Sequence, residues 1–124
     1  MSLAWVLSMT LLLLACVAPG TPDLAQGETF TAEMLFLPDP PAVGEQTLEL
    51  QVFDLDSQPL EALPLEVDAL MSAHGHGLQE PPVVGDLGDG LYRASWVWPM
   101  AGVWTLQLSL PDRGDTAVVD VDVD

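Results

Sequence analysis

The chain has no lysine, and arginine occurs only as Arg93 and Arg113. Against these two cations stand 19 aspartates and glutamates, giving a formal net charge of −17 over 124 residues. Nucleic acids are bound by cationic neutralisation of phosphates, so a surface of this sign excludes them as partners. Anionic lipid surfaces are disfavoured for the same reason, and membrane attachment needs some other device. Cysteine is almost missing too: Cys16 stands alone, which rules out an intrachain disulfide. No Ser/His/Asp or Cys/His set is available for nucleophilic catalysis. The Gly88-Asp89-Gly90 turn lacks the lysine and following helix of a phosphate loop. Nothing sets two carboxylates in a pocket for glycosidase chemistry. These absences describe a protein that is not an enzyme.

Long apolar runs are also scarce, with one exception. The first 22 residues carry no charged side chain, and Leu3 to Ala18 is dominated by Leu, Ala, Val, Met and Trp. The run is short for a membrane span, which needs about 20 apolar residues, and has the length of a signal-peptide core. It ends in Leu13-Leu14-Ala15-Cys16, which resembles the lipobox of bacterial lipoproteins. That resemblance implies cleavage after residue 15 and lipid on Cys16. The expected organisation is therefore a signal peptide over 1–15, a linker over 16–28 and one domain over 29–124. Pro19, Gly20, Pro22 and Gly27 discourage regular structure in the linker.

From there on the pattern has a period of two, the mark of half-buried strands. Leu48, Leu50 and Val52 alternate with Thr47, Glu49 and Gln51, and Leu65, Val67 and Ala69 alternate with Glu66 and Asp68. Tyr92, Ala94, Trp96 and Trp98 oppose Arg93 and Ser95; Trp104, Leu106, Leu108 and Leu110 oppose Thr105, Gln107 and Ser109. Val119, Val121 and Val123 alternate with Asp120, Asp122 and Asp124. A strand around Thr29–Leu37 and a short one at Val83–Val84 bring the number to about seven. Turn residues separate them, as in Asp39-Pro40-Pro41, Asp56-Ser57-Gln58-Pro59 and Asp112-Arg113-Gly114. About seven short strands in about 100 residues predict an all-β, immunoglobulin-like antiparallel sandwich. Strict up-and-down alternation puts the ends of the third and fifth strands, near Met71 and Met100, at one pole. The same alternation brings the linker in at the opposite pole.

That pole is where chemistry can be sought. Met71-Ser72-Ala73-His74-Gly75-His76-Gly77 holds both histidines, and Pro99-Met100-Ala101-Gly102-Val103-Trp104 offers a second thioether. Two imidazoles and two thioethers are donors that suit copper, Cu(I) above all. Met71, His74, His76 and Met100 are the candidate ligands, and copper is the candidate cofactor. Zinc fits less well without a thiolate. The structural alternative has Gly75 and Gly77 at positive φ in a tight loop, His76 bonded to a backbone carbonyl and both methionines in the core. A Trp98 left partly exposed beside Met100 would shield a Cu(I) ion. The acidic groups Asp54/Asp56, Asp86/Asp89 and Asp120/Asp122/Asp124 lie in turns or point outward along a strand. They do not converge as calcium requires.

The order of these segments carries a family likeness. Val43-Gly44-Glu45 leads into a strand, followed by the Asp54–Pro59 turn, Leu70-Met71 with His74-Gly75-His76-Gly77, then Gly88-Asp89-Gly90-Leu91-Tyr92-Arg93-Ala94 and the Met100 segment. The chain resembles the YtkA-like domain, a small immunoglobulin-like module similar to the periplasmic part of FixH proteins. The likeness spans about Phe30 to Val123. Where the family typically reads Met-Pro-x-Met-Gly-His-Gly, Ser72 stands in place of proline and His74 in place of the second methionine. The resemblance implies an extracytoplasmic β-sandwich without enzyme activity, lipid-anchored to a bacterial envelope membrane through Cys16. FixH-type relatives are associated with oxidase maturation, which implies an oxidase assembly component as the kind of envelope partner and gives copper a second motive. The competing class is a metal-free accessory or interaction domain whose His-Gly-His-Gly loop is purely structural.

Overall fold

The computed structural model describes residues 23–124. Cys16, the signal segment and the first part of the linker lie outside the described residues. The described chain forms nine strands: β1 (Asp23–Gln26), β2 (Phe30–Leu37), β3 (Gly44–Asp54), β4 (Glu66–Met71), β5 (His76–Gly77), β6 (Val83–Gly88), β7 (Leu91–Trp98), β8 (Gly102–Leu110) and β9 (Asp115–Val123). One 3-10 turn, Pro111–Arg113, separates the last two.

The strands make two antiparallel sheets, ordered β1-β2-β3-β7-β6 and β5-β4-β8-β9. Without β1 and β5 the partition is four strands against three. That is the arrangement of constant-type immunoglobulin domains, as the alternating sequence predicts. The two additional strands escaped the pattern for a simple reason. β1 is four residues long and buries only Ala25, and β5 has just two residues, both exposed. β1 also revises the linker, since Asp23–Gln26 pairs with β2 through Asp23↔Met34 to Gln26↔Thr31. It runs antiparallel to β2, from Asp23 opposite Met34 to Gln26 opposite Thr31, so this segment hands over to β2 at the pole away from Met71 and Met100.

Alternation decides the faces. β2, β3 and β7 turn Phe30, Met34, Leu48, Leu50, Tyr92 and Trp98 inward, and β4, β8 and β9 answer with Val67, Trp104, Leu106, Leu108 and Val121. All belong to one core cluster. Burial of each such side chain is worth roughly 1.5–3 kcal/mol, so a two-residue period in the sequence suffices to fix the sandwich. Gln46 sits in the same inward row and, among the described residues, is the one buried polar residue, 1% exposed.

The end holding the β3–β4 and β8–β9 connections, below called the lower end, is stitched by polar side chains. One carboxylate oxygen of Asp54 accepts the N–H groups of Asp56 (2.8 Å) and Gln58 (3.0 Å). The Tyr92 hydroxyl donates to the Leu63 carbonyl at 2.7 Å, tying the β3–β4 connection to β7. Asp115 accepts from the Glu28 and Thr29 N–H groups and the Thr29 hydroxyl, at 3.1, 2.7 and 2.6 Å. Gly90 stands at φ +76°, and a Cβ there would lie 2.8 Å from the Val52 carbonyl oxygen. Only glycine fits that turn.

Candidate metal-binding pole

At the upper end, β4 and β7 both finish and the chain turns back through residues 72–75 and 99–101. The two segments singled out in the sequence therefore share one pole. The first turn is held by its own backbone: the His74 N–H donates to the Met71 carbonyl (3.2 Å) and Gly75 N–H to Ser72 (3.3 Å). Gly75 takes φ +66°, as expected of this loop, whereas Gly77 is in ordinary strand geometry.

The register then places the donors. β5 pairs with β4 through Met71↔His76 and Leu70↔Gly77. Directly opposed residues of an antiparallel pair project to the same face, their Cβ atoms about 4.5–5.5 Å apart. His76 thus stands on the face of Met71 but at the sheet edge, where it is exposed. The His74 ring lies beside it, centroids 6.1 Å apart and planes tilted by 36°. Metal–imidazole bonds run to about 2.0–2.1 Å, so one ion bound to a nitrogen of each ring would hold two imidazoles at comparable separation.

The methionines are placed differently. Met71 is 2% exposed and belongs to the core, with its methyl group directly over Gly102: a Cβ at that glycine would lie 2.7 Å from Met71 Cε. Met100 is 36% exposed, at the surface of the same turn. Its carbonyl accepts the Trp104 indole N–H at 3.1 Å. Three of the four candidate donors, His74, His76 and Met100, are therefore accessible, and the fourth lies just beneath. Among the described residues no cluster of three or more His, Cys, Asp or Glu is placed to hold a metal ion. Any site here depends on thioether sulfur.

Trp98 does not shield the pole, because it is completely buried. Its indole N–H is donated to Gln46 Oε1 at 2.9 Å, while Gln46 Nε2 donates to the Thr47 and Pro38 carbonyls. Trp96 meets Trp98 edge to face and Trp98 meets Trp104 at a tilt, with centroids 5.2 and 5.3 Å apart. Gln46 is a residue of this end that pattern reading passed over. Its signal was a polar side chain in the inward row that continues through Leu48, Leu50 and Val52.

The YtkA-like family model matches residues 25–109, more than two thirds of the chain. The match runs from β1 to near the end of β8 and includes Met71, His74, His76 and Met100. No curated protein matches the chain.

Proposed function

This chain belongs to the YtkA-like family, and on that premise we propose that it is an extracytoplasmic accessory domain, anchored through lipid on Cys16, that takes up copper at its upper pole. What supports the reading is that the exposed turns carrying His74, His76 and Met100 lie at the same pole, the two imidazoles 6.1 Å apart and Met71 packed against Gly102 beneath the Met100 turn. Two imidazoles and a thioether are borderline-to-soft ligands in a set suited to Cu(I). Met71 joins as a fourth donor by turning its flexible thioether away from Gly102, a motion its unbranched chain allows. The strongly acidic surface raises the local concentration of cations. A site at the open surface also suits an ion that is to be handed on, here to an envelope partner such as an oxidase assembly component.

A metal-free interaction domain is the competing account, and one observation favours it: Met71 is packed on Gly102 as an ordinary core residue. Cu(I) competition titration of the full chain in detergent, beside the His74→Ala/His76→Ala variant, separates the two. One-to-one binding that the double variant loses supports uptake at the loop. Absence of binding, or binding the variant retains, leaves the loop structural.

A further inference from the structure

A groove of about 480 Å³ opens at the upper end of the lateral seam, on the β6 side of the five-stranded sheet. One wall is the run Ser95 to Pro99, with inward-facing and outward-facing residues both contributing. Val43 and Gly44 complete the lining on the β3 side, and Gln79, Glu80, Pro81 and Val83 bound it on the β6 side, where the edge of β7 is open. The pairing explains why. β6 begins at Val83↔Ser95, so Trp96, Val97 and Trp98 extend past its end. On their other side they are fully paired, through Gln46↔Trp96, Glu45↔Val97 and Gly44↔Trp98. The lane that β6 would occupy beside them is instead bordered by Gln79, Glu80 and Pro81. Pro81 and Pro82 have no N–H to donate, which is why the chain cannot extend β6 upward into that lane.

A second, independent feature marks the same wall. Trp96 is 6% exposed, and its indole N–H is the one buried side-chain donor or acceptor without a hydrogen-bond partner among the described residues. Its neighbours Trp98 and Trp104 both have partners. A buried donor left unpaired costs about 1–3 kcal/mol, so an acceptor brought to it by a bound segment would be favourable.

We propose that the groove is a strand-addition site, in which an extended, cationic segment of a partner protein pairs with the open edge of β7 at Trp96–Trp98. Backbone pairing supplies affinity, and the flanking pockets select alternate side chains. Pro81, Trp96 and Val97 ask for apolar or β-branched residues on the added strand. Charge decides the partner. Glu80 borders the lane, Glu45 lies opposite Val97, and Arg93 further down β7 is already held by Glu49 at 2.8 Å. A second copy of this chain would bring another net charge of −17 to the same edge, whereas Lys or Arg flanks complement it. This site is independent of copper, although Pro99 in its wall is the sequence neighbour of Met100.

The test is selection of a phage-displayed library of random linear peptides on the full chain in detergent. Enriched sequences are expected to combine Lys or Arg with β-branched residues. A synthetic consensus peptide should shift the Trp96 indole and Val97 amide resonances and lose binding when its central amides are N-methylated. Glu80→Lys should weaken it about tenfold through like-charge opposition at the rim. Trp96→Phe, which keeps most of the ring volume, should weaken it several-fold. Lack of enrichment over detergent alone would overturn the proposal. So would peptides that bind Glu80→Lys equally and leave Trp96 unmoved, or self-association that shifts these resonances without peptide.

Discussion

The turns at the two ends of the sandwich treat their polar side chains differently. At the lower end, Asp54, Tyr92 and Asp115 spend their side chains on backbone and hydroxyl partners, and the turns are closed. At the upper end, His74, His76 and Met100 stand at the surface, and the Trp96 indole N–H has no partner among the described residues. The same core runs beneath both ends. Beneath the upper loops the buried polar groups Trp98, Gln46 and Trp104 are paired as well, so the groups that stability does not require are those of the exposed upper loops.

That contrast can be broken or sharpened by mutation. The largest effect should come from beneath the upper loop. Met71→Ala removes a core side chain over Gly102 and is expected to cost about 2–4 kcal/mol in urea unfolding. A cost near zero would mean that Met71 is not core. Next is Gly90→Ala at the lower end, where positive φ and the Val52 carbonyl oppose a Cβ. A loss of about 1–3 kcal/mol is expected, read from the same unfolding curves.

Asp115→Asn should cost less, on the order of 1 kcal/mol after allowance for solvent, and should do so only at some pH values. Partial burial pushes the Asp115 carboxyl up, but hydrogen bonds from the Thr29 side chain and from the Thr29, Glu28 and Thr116 backbone outweigh it. The net pKa is below the ordinary carboxylate value. A depressed native pKa gives stability that is present above about pH 4, the unfolded value, and is lost as pH falls through the native one. Thermal melts should therefore separate wild type from variant at pH 7 and bring them together in acid. A gap that persists at low pH would contradict the assignment. The smallest effect belongs to the upper loop itself. His74→Ala and His76→Ala should each change metal-free stability by no more than about 0.5 kcal/mol, and a larger loss by calorimetry would make the loop a structural element.

The lower end and core were largely legible, because half-buried strands write their burial into a two-residue period. Leu48, Leu50, Val52 and the Trp104–Leu110 row needed nothing more, and the meeting of Met71 with the Met100 turn followed from strand parity. What stayed hidden lacks a period. β1 buries one residue and β5 none, so their pairings came from tertiary contact. Parity correctly set Met71 inward, yet gave no measure of depth, and so could not separate a buried thioether from the exposed Met100. The unpaired edge of β7 was equally invisible, since it depends on where β6 begins.

Copper-edge X-ray absorption on the Cu(I)-loaded full chain, beside Met100→Leu, tests the upper pole most directly. The account predicts a mixed nitrogen and sulfur shell, with imidazole scattering from two histidines and a sulfur contribution that falls in the Met100 variant. A shell of nitrogen and oxygen alone, or a sulfur signal unchanged by Met100→Leu, would contradict it.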